Sequence, residues 1–217
     1  MVVLIGGSIW FSGRSVDKNN EGVDTSVVHA KGGAESDVVL VEYSDFQCPA
    51  CGAFQPYVAE VLETHGDLLR FEYKHFPLPI HPFAEQAARA AEAAGQQGKF
   101  FEFHDKLFAE QTAWSNSVNP SVFFLRYADE LDLDMDTFGR QMKSTLLRDK
   151  VRASGAEARA QGLTGTPTFF LNGKRMEIKS YQDFANQIST AINPSSDTGS
   201  STGALEVEAA PSVRFGI

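Results

Sequence analysis

Apolar and polar positions along the 217-residue chain change their period several times, and each change marks an element. Val38-Val39-Leu40-Val41 is a β-branched apolar run continued by Glu42-Tyr43-Ser44. Such a run predicts a strand covered on both faces, as in a parallel sheet. Asp45-Phe46-Gln47 follows as a turn. Phe54, Tyr57, Val58, Val61 and Leu62 then recur at helical spacing and lay one apolar stripe along a helix. Pro49 suits the first turn of that helix, Pro56 inside it predicts a kink, and Gly66 ends it. Residues 69–76 alternate and predict a second strand. Strand, helix and strand at this spacing make a βαβ unit, with parallel strands and a right-handed crossover.

Helical periodicity then takes over. It covers an Ala-rich segment at 83–97, a segment at 99–111 set off by Gly98, a third at 122–131, and a long one at 135–161 weakened by Gly139 and Gly155. About four helices are expected there, an inserted helical subdomain at about 83–163. Strand character returns at 168–171. Asn172-Gly173 is a two-residue hairpin turn, and 174–178 is the expected return strand. Tyr181, Phe184, Ala185, Ile188 and Ile192 make a last amphipathic helix with Ser180 as its N-cap. The fold class is α/β: a βαβ unit, a β-hairpin and a C-terminal helix in one domain over 37–193.

The flanks read differently. Residues 1–11 are apolar but too short to span a bilayer, and they lack the basic start of a secretory signal. They are read as the remnant of a signal anchor. Residues 12–36 are read as a linker with room for an N-terminal strand, and 194–217 as a polar, disordered tail. Lys and Arg number 19 against 28 Asp and Glu, a net charge of −9 with no basic run, which excludes a nucleic-acid partner.

The chain has two cysteines, and both lie in Cys48-Pro49-Ala50-Cys51, on the first turn of the first long helix. Unpaired N–H groups and the positive end of the helix dipole favour a thiolate at Cys48, while Cys51 lies one turn further in, toward the core. Such a pair suits thiol–disulfide exchange. Three other readings compete. A static disulfide would close too short a loop to constrain much entropy. Half a zinc site would need two of His29, His65, His75, His81 and His104, which show no paired spacing. Two inert buried thiols are the third. No metal and no organic cofactor is expected.

Two further features bear on this chemistry. Gly165-Thr166-Pro167-Thr168 opens a strand with proline. A cis Thr166–Pro167 bond would turn the Thr166 backbone outward to pair with an extended peptide, although trans is the ordinary state. Glu42 is a carboxylate at the end of an apolar strand. Buried, it would hold a raised pKa and exchange protons with Cys51; alternatively it reaches solvent or pairs with Lys74. His81-Pro82 is read as a helix start. Phe100, Phe101, Phe103, Phe108, Phe123 and Phe124 are read as helical core in preference to a peptide groove.

Taken together, residues 38–192 resemble the DsbA-like branch of the thioredoxin superfamily, close to the membrane-anchored bacterial disulfide oxidoreductases. Phe46 to Cys51 looks like the family's active-site motif, Gly165 to Thr168 like its cis-proline loop, and Glu42 like its buried acid. The resemblance implies a thioredoxin-like fold and a cis Pro167. It implies that Cys48 is the exposed attacking sulfur and Cys51 the buried resolving one, with Pro49 and Ala50 between them. The partners implied are protein thiols in extended conformation and a membrane or soluble redox partner that resets the cysteines. The implied setting is extracytoplasmic and anchored, and the protein is expected to be monomeric. Ala50 departs from the His that many members carry, which leaves oxidising strength open. A reductase or isomerase, or a peptide-binding chaperone without turnover, are the alternatives. A glutathione-dependent transferase on the same fold would not need Cys51.

Overall fold

A computed structural model of the chain describes residues 17–194; the apolar segment at 1–11 and the tail beyond Pro194 lie outside the described residues. Five strands, β1 (His29–Gly32), β2 (Val39–Ser44), β3 (Arg70–His75), β4 (Thr168–Leu171) and β5 (Lys174–Arg175), form one sheet in the order β1-β3-β2-β4-β5. The β2–β3 pair is parallel and the others are antiparallel. The crossover between β2 and β3 is helix α1 (Pro49–His65), which continues through Pro56 and ends at Gly66 with a positive φ of 50°. A single helix between parallel strands is what the βαβ spacing demands.

Successive residues of β2 face opposite ways. Leu40 and Glu42 point toward α1, with Phe71 and Tyr73 of β3 beside them on one side and Leu171 and Phe169 of β4 on the other. Val41 and Tyr43 face away, into a smaller cluster with Phe76, Ala158 and Leu163. Val39 and Val41 are only partly buried. The second face of β2 is therefore thinly covered, less than its unbroken apolar run suggests. Phe54 of α1 meets Phe169 and, on the C-terminal helix α8 (Tyr181–Ile192), Phe184 and Tyr181, with ring centroids 5.0–5.1 Å apart. Ser180 caps α8 by accepting from the Asp183 N–H at 3.1 Å.

The insertion holds six helices, not four: α2 (Ala84–Gly95), α3 (Phe100–Ala109), α4 (Gln111–Ser115), α5 (Ser121–Glu130), α6 (Met135–Gln141) and α7 (Thr145–Ala160). The long 135–161 stretch divides before Thr145 and at neither glycine. Ser144 stops the pattern by turning its hydroxyl to accept from the N–H groups of Leu146 and Leu147, an N-cap in mid-period. The hairpin uses Asn172 and Gly173 at φ 49° and 75°, the left-handed pair a two-residue turn requires. Its return strand ends at Arg175, short of the expected 178; Met176 still donates its N–H to the Phe169 carbonyl at 2.9 Å and packs its side chain into the core, and the ladder goes no further.

Residues 17–36 are not a loose linker. A helical turn at Lys18–Asn20 docks on α7, where Asn20 Oδ1 accepts from the Ser144 hydroxyl at 2.7 Å and the Thr145 N–H at 3.1 Å. Strand β1 is fastened by a buried charge cluster. His29 Nε2 and His75 Nε2 each lie 3.0 Å from Glu92 Oε1, and Lys150 Nζ donates to Glu92 Oε2 at 2.8 Å and to the Val27 carbonyl at 2.8 Å. Two histidines thus do meet, across adjacent strands, and they meet a carboxylate and no cysteine. His29, His75 and Glu92 bring their ligand atoms within 4.8 Å of one another. The Lys150 ammonium already supplies the cation beside Glu92.

Burial alone would raise the Glu92 carboxyl, but hydrogen bonds from His29 and His75 hold it far below its ordinary value; burial lowers His29. Both shifts have one sign. A histidine lowered on folding costs stability as pH falls through its unfolded value near 6.5, and a carboxyl lowered on folding costs stability below its unfolded value near 4.5. Stability should therefore drop in two steps on acidification. In urea titrations at pH 7, Lys150→Met should cost about 3 kcal/mol, because Glu92 is left buried without its cation. A cost under about 1 kcal/mol would show that the histidines suffice.

Candidate active site

Helix α1 begins at the carboxyl end of β2, and the turn between them is held by one side chain. Asp45 is buried; its Oδ1 accepts from the Gln47 N–H at 2.8 Å, and its Oδ2 accepts from the Leu78 N–H at 2.8 Å and lies 2.7 Å from His81 Nδ1. His81 thus does more than precede a helix: it ties the segment after β3 to the turn before the cysteines. Cys48 is the N-cap of α1 with extended backbone, and Pro49 takes the first helical position, where its missing N–H costs nothing.

The two sulfurs occupy opposite environments. Both cysteines are free thiols in the structure. Cys51 is completely buried, and burial pushes its thiol well above the ordinary value. Cys48 is lowered to about 6, first by a hydrogen bond from the Cys51 thiol, with the Thr166 side-chain hydroxyl and the backbone N–H groups of Cys51 and Ala50 adding to it. The expected exposed sulfur is less open than the resemblance implied. Cys48 keeps 6% of its surface, since the loop before β4 lies against it and its thiol donates to the Thr166 carbonyl at 3.4 Å. The Thr166–Pro167 peptide bond is cis, against the ordinary trans state. A groove of about 630 Å³ runs beside this loop, lined in part by Pro49, Ala50, Thr166, Pro167, Met176 and Tyr181.

Glu42 lies behind the cysteines on the α1 side of β2. It is fully buried and reaches neither solvent nor Lys74, which points to the other face and binds Glu157 at 2.6 Å. Burial raises the Glu42 carboxyl to about 7, while hydrogen bonds from Ser44 and Gln55 pull the other way. Phe100, Phe103 and Phe124 are core, as the sequence predicts, and Phe101, Phe108 and Phe123 pack partly buried at its rim.

Sequence reasoning missed two residues. Gln111, the first residue of α4, sends its Nε2 to the carbonyls of Phe46 and Cys48, both at 2.8 Å. It fastens the insertion to the cysteine turn from behind. Gly52 makes room for it: a Cβ there would stand 2.6 Å from Gln111 Oε1. No local signal marks Gln111. Gln55 is the other. Its amide Nε2 reaches both oxygens of Glu42, at 3.4 and 3.3 Å. Its place four residues after Cys51, on the same side of the helix, is a spacing that could have found it.

Glu42→Gln should stabilise the protein at neutral pH. A carboxyl raised on folding binds its proton more tightly in the folded state, so folded stability falls as pH rises from about 4.5 to about 7. The substitution should remove that fall and gain up to about 3 kcal/mol at pH 8, read as thermal midpoint against pH. An unchanged slope would mean the carboxylate is solvated. Gln111→Leu removes the side-chain donor from the Phe46 carbonyl, leaves the Cys48 carbonyl only its Gly52 N–H, and should cost about 1–3 kcal/mol in urea.

The thioredoxin family model matches residues 24–190. Among solved structures, a thioredoxin-like oxidoreductase from Silicibacter pomeroyi superposes with a TM-score of 0.64 at 26% identity, covering 78% of this chain and 94% of that one. The α-DsbA1 protein of Wolbachia pipientis shares the fold at a TM-score of 0.67 and 22% identity, over 81% and 96% of the two chains. Among curated relatives, Na⁺/H⁺ antiporter NhaA 3 of Salinispora tropica is 41% identical over 154 residues, 70% of this chain but 23% of its own length. The chain spans about a quarter of such relatives, and among the described residues no helix is long and apolar enough to cross a membrane. By its match over 24–190, its cysteine turn at the tip of α1 and its helical insertion, the chain belongs to the thioredoxin family, as an oxidoreductase with the DsbA-type fold.

Proposed function

We propose that the protein exchanges the Cys48–Cys51 disulfide with thiols of extended polypeptides outside the cytoplasm, acting mainly as their oxidant. The observation that carries this reading is the split between the two sulfurs, one thiol at about 6 and its neighbour raised by burial. A substrate thiolate attacks Cys48 Sγ; the Cys48–Cys51 bond breaks, and Cys51 leaves with the electron pair and takes a proton. The substrate's second thiolate then attacks its own sulfur in the mixed disulfide and releases Cys48 as thiolate. The substrate ends oxidised and the cysteine pair reduced, to be reset by a second redox partner. Whatever stabilises the Cys48 thiolate stabilises the reduced pair and makes the disulfide the stronger oxidant.

The groove beside Pro167 fits an extended chain, with the Thr166 backbone as its hydrogen-bonding edge. Work at a membrane surface is supported by relatives named as ion antiporters, in which a stretch like this chain makes up about a quarter of the length. The protein acts as a monomer with no metal or organic cofactor, the cysteine pair being the redox group.

Cys48→Ala should abolish oxidation of a dithiol peptide, and Cys51→Ala should accumulate protein–peptide mixed disulfides visible on non-reducing gels. Unchanged rates in Cys48→Ala would end this reading. Equilibration with glutathione should place the pair above about −200 mV; a value near −270 mV would make it a reductase.

A further inference from the structure

We infer that Gln55 is a positioning residue for Glu42, and that the proton exchanged at Cys51 travels through Glu42 to a cleft on the side of α1 away from the peptide groove. The inference rests on the exchange reading above and extends it to a residue and a route.

The geometry has three parts. Glu42 is sealed from solvent, and its two oxygens accept from one amide, Gln55 Nε2, at 3.4 and 3.3 Å. Gln55 itself is only partly buried and lines a cleft of about 330 Å³ between α1 and α3, together with Gly52, Pro56, Ala59 and Phe108. That cleft shares no residue with the groove at Pro167. A bound polypeptide would cover one side of α1 and leave the other wet.

A sealed carboxyl can act as a proton store only if its charged form is tolerable and water can reach it. Gln55 serves both needs, since its amide donates to the carboxylate and it is the one side chain bonded to Glu42 that also reaches the cleft. Other titratable groups face Glu42: Cys48 and Cys51 from α1 and Tyr73 from β3, while β4 presents only Phe169. Lys31, His104 and Asp105 border the cleft from β1 and α3. None of these takes the place of the amide on the carboxylate.

The step is balanced on the chain's own atoms. With a mixed disulfide on Cys48, Glu42 takes the Cys51 proton. The Cys51 thiolate then attacks Cys48 Sγ, the bond to the outer sulfur breaks, and that thiolate leaves with the electron pair. The cysteine pair is oxidised and the outer thiol reduced, and Glu42 passes its proton out past Gln55. The reverse sequence supplies a proton to Cys51 when a substrate opens the disulfide.

Reduced protein mixed with oxidised glutathione should react in two phases: glutathione-dependent attack by Cys48, then a first-order step in which Cys51 expels glutathione. Acid quenching and mass spectrometry resolve the mixed disulfide. The second phase should depend on pH with a midpoint near the Glu42 value of about 7. Gln55→Leu removes the donor and Gln55→Glu sets a second carboxylate beside the first; both raise the Glu42 midpoint. A rise of about one unit cuts the ionised share at pH 7 from about one half to about one tenth, roughly a fivefold slower second phase. Glu42→Gln should remove the pH step altogether. Midpoints within about 0.3 units of the parent in both Gln55 variants, folded by near-ultraviolet circular dichroism, would overturn the inference. Absence of the second phase in the parent protein would instead overturn the exchange reading.

Discussion

Two sulfur atoms within one helical turn are held in environments that pull their proton affinities apart, and most of the surrounding structure serves that separation. A helix start alone would favour both thiolates to some degree, because unpaired N–H groups and the dipole act across the whole first turn. Burial distinguishes them. Cys51 is buried beside Ser44, Tyr73 and the Glu42 carboxyl, where a second negative charge would be unsolvated. Its proton therefore stays and can be donated to Cys48, and that donation is the largest influence holding Cys48 low.

The scaffold keeps this arrangement in register from three directions. The sheet supplies Glu42 from β2 and the Thr166 carbonyl from the loop before β4. Asp45 locks the turn to the segment after β3. The insertion reaches in through Gln111, whose two bonds to the Phe46 and Cys48 carbonyls leave no slack between α4 and the start of α1. The insertion is thus part of the site as well as a cover over the sheet.

Legibility in the sequence followed the range of each cause. The β2–α1–β3 unit, the Asn172-Gly173 turn, the Ser180 cap and the cysteine turn are set by neighbours within a few residues, and all could be read. The division of 135–161 at Ser144 was misread, because the helical period on either side was good and the cap acts against it. Glu42 stood between burial and a partner in Lys74; strand alternation settles it, since Lys74 lies on the opposite face from Glu42's α1-facing neighbour Tyr73. The His29–His75–Glu92–Lys150 cluster and Gln111 were invisible for another reason. They join positions 17 to 121 residues apart, which only the closed fold brings together.

Cys48 is the N-cap of α1 and, in the proposed exchange, the reactive sulfur, and this couples chemistry to folding. Closing the Cys48–Cys51 bond removes the negative charge that the positive end of the α1 dipole favours at this position. A thermodynamic cycle through the unfolded chain then requires that the free energy making the disulfide a strong oxidant reappear as a less stable folded state once the bond is closed. Under the proposed oxidant role, the disulfide form is the looser form of the fold, and passing the bond to a substrate lets the protein relax.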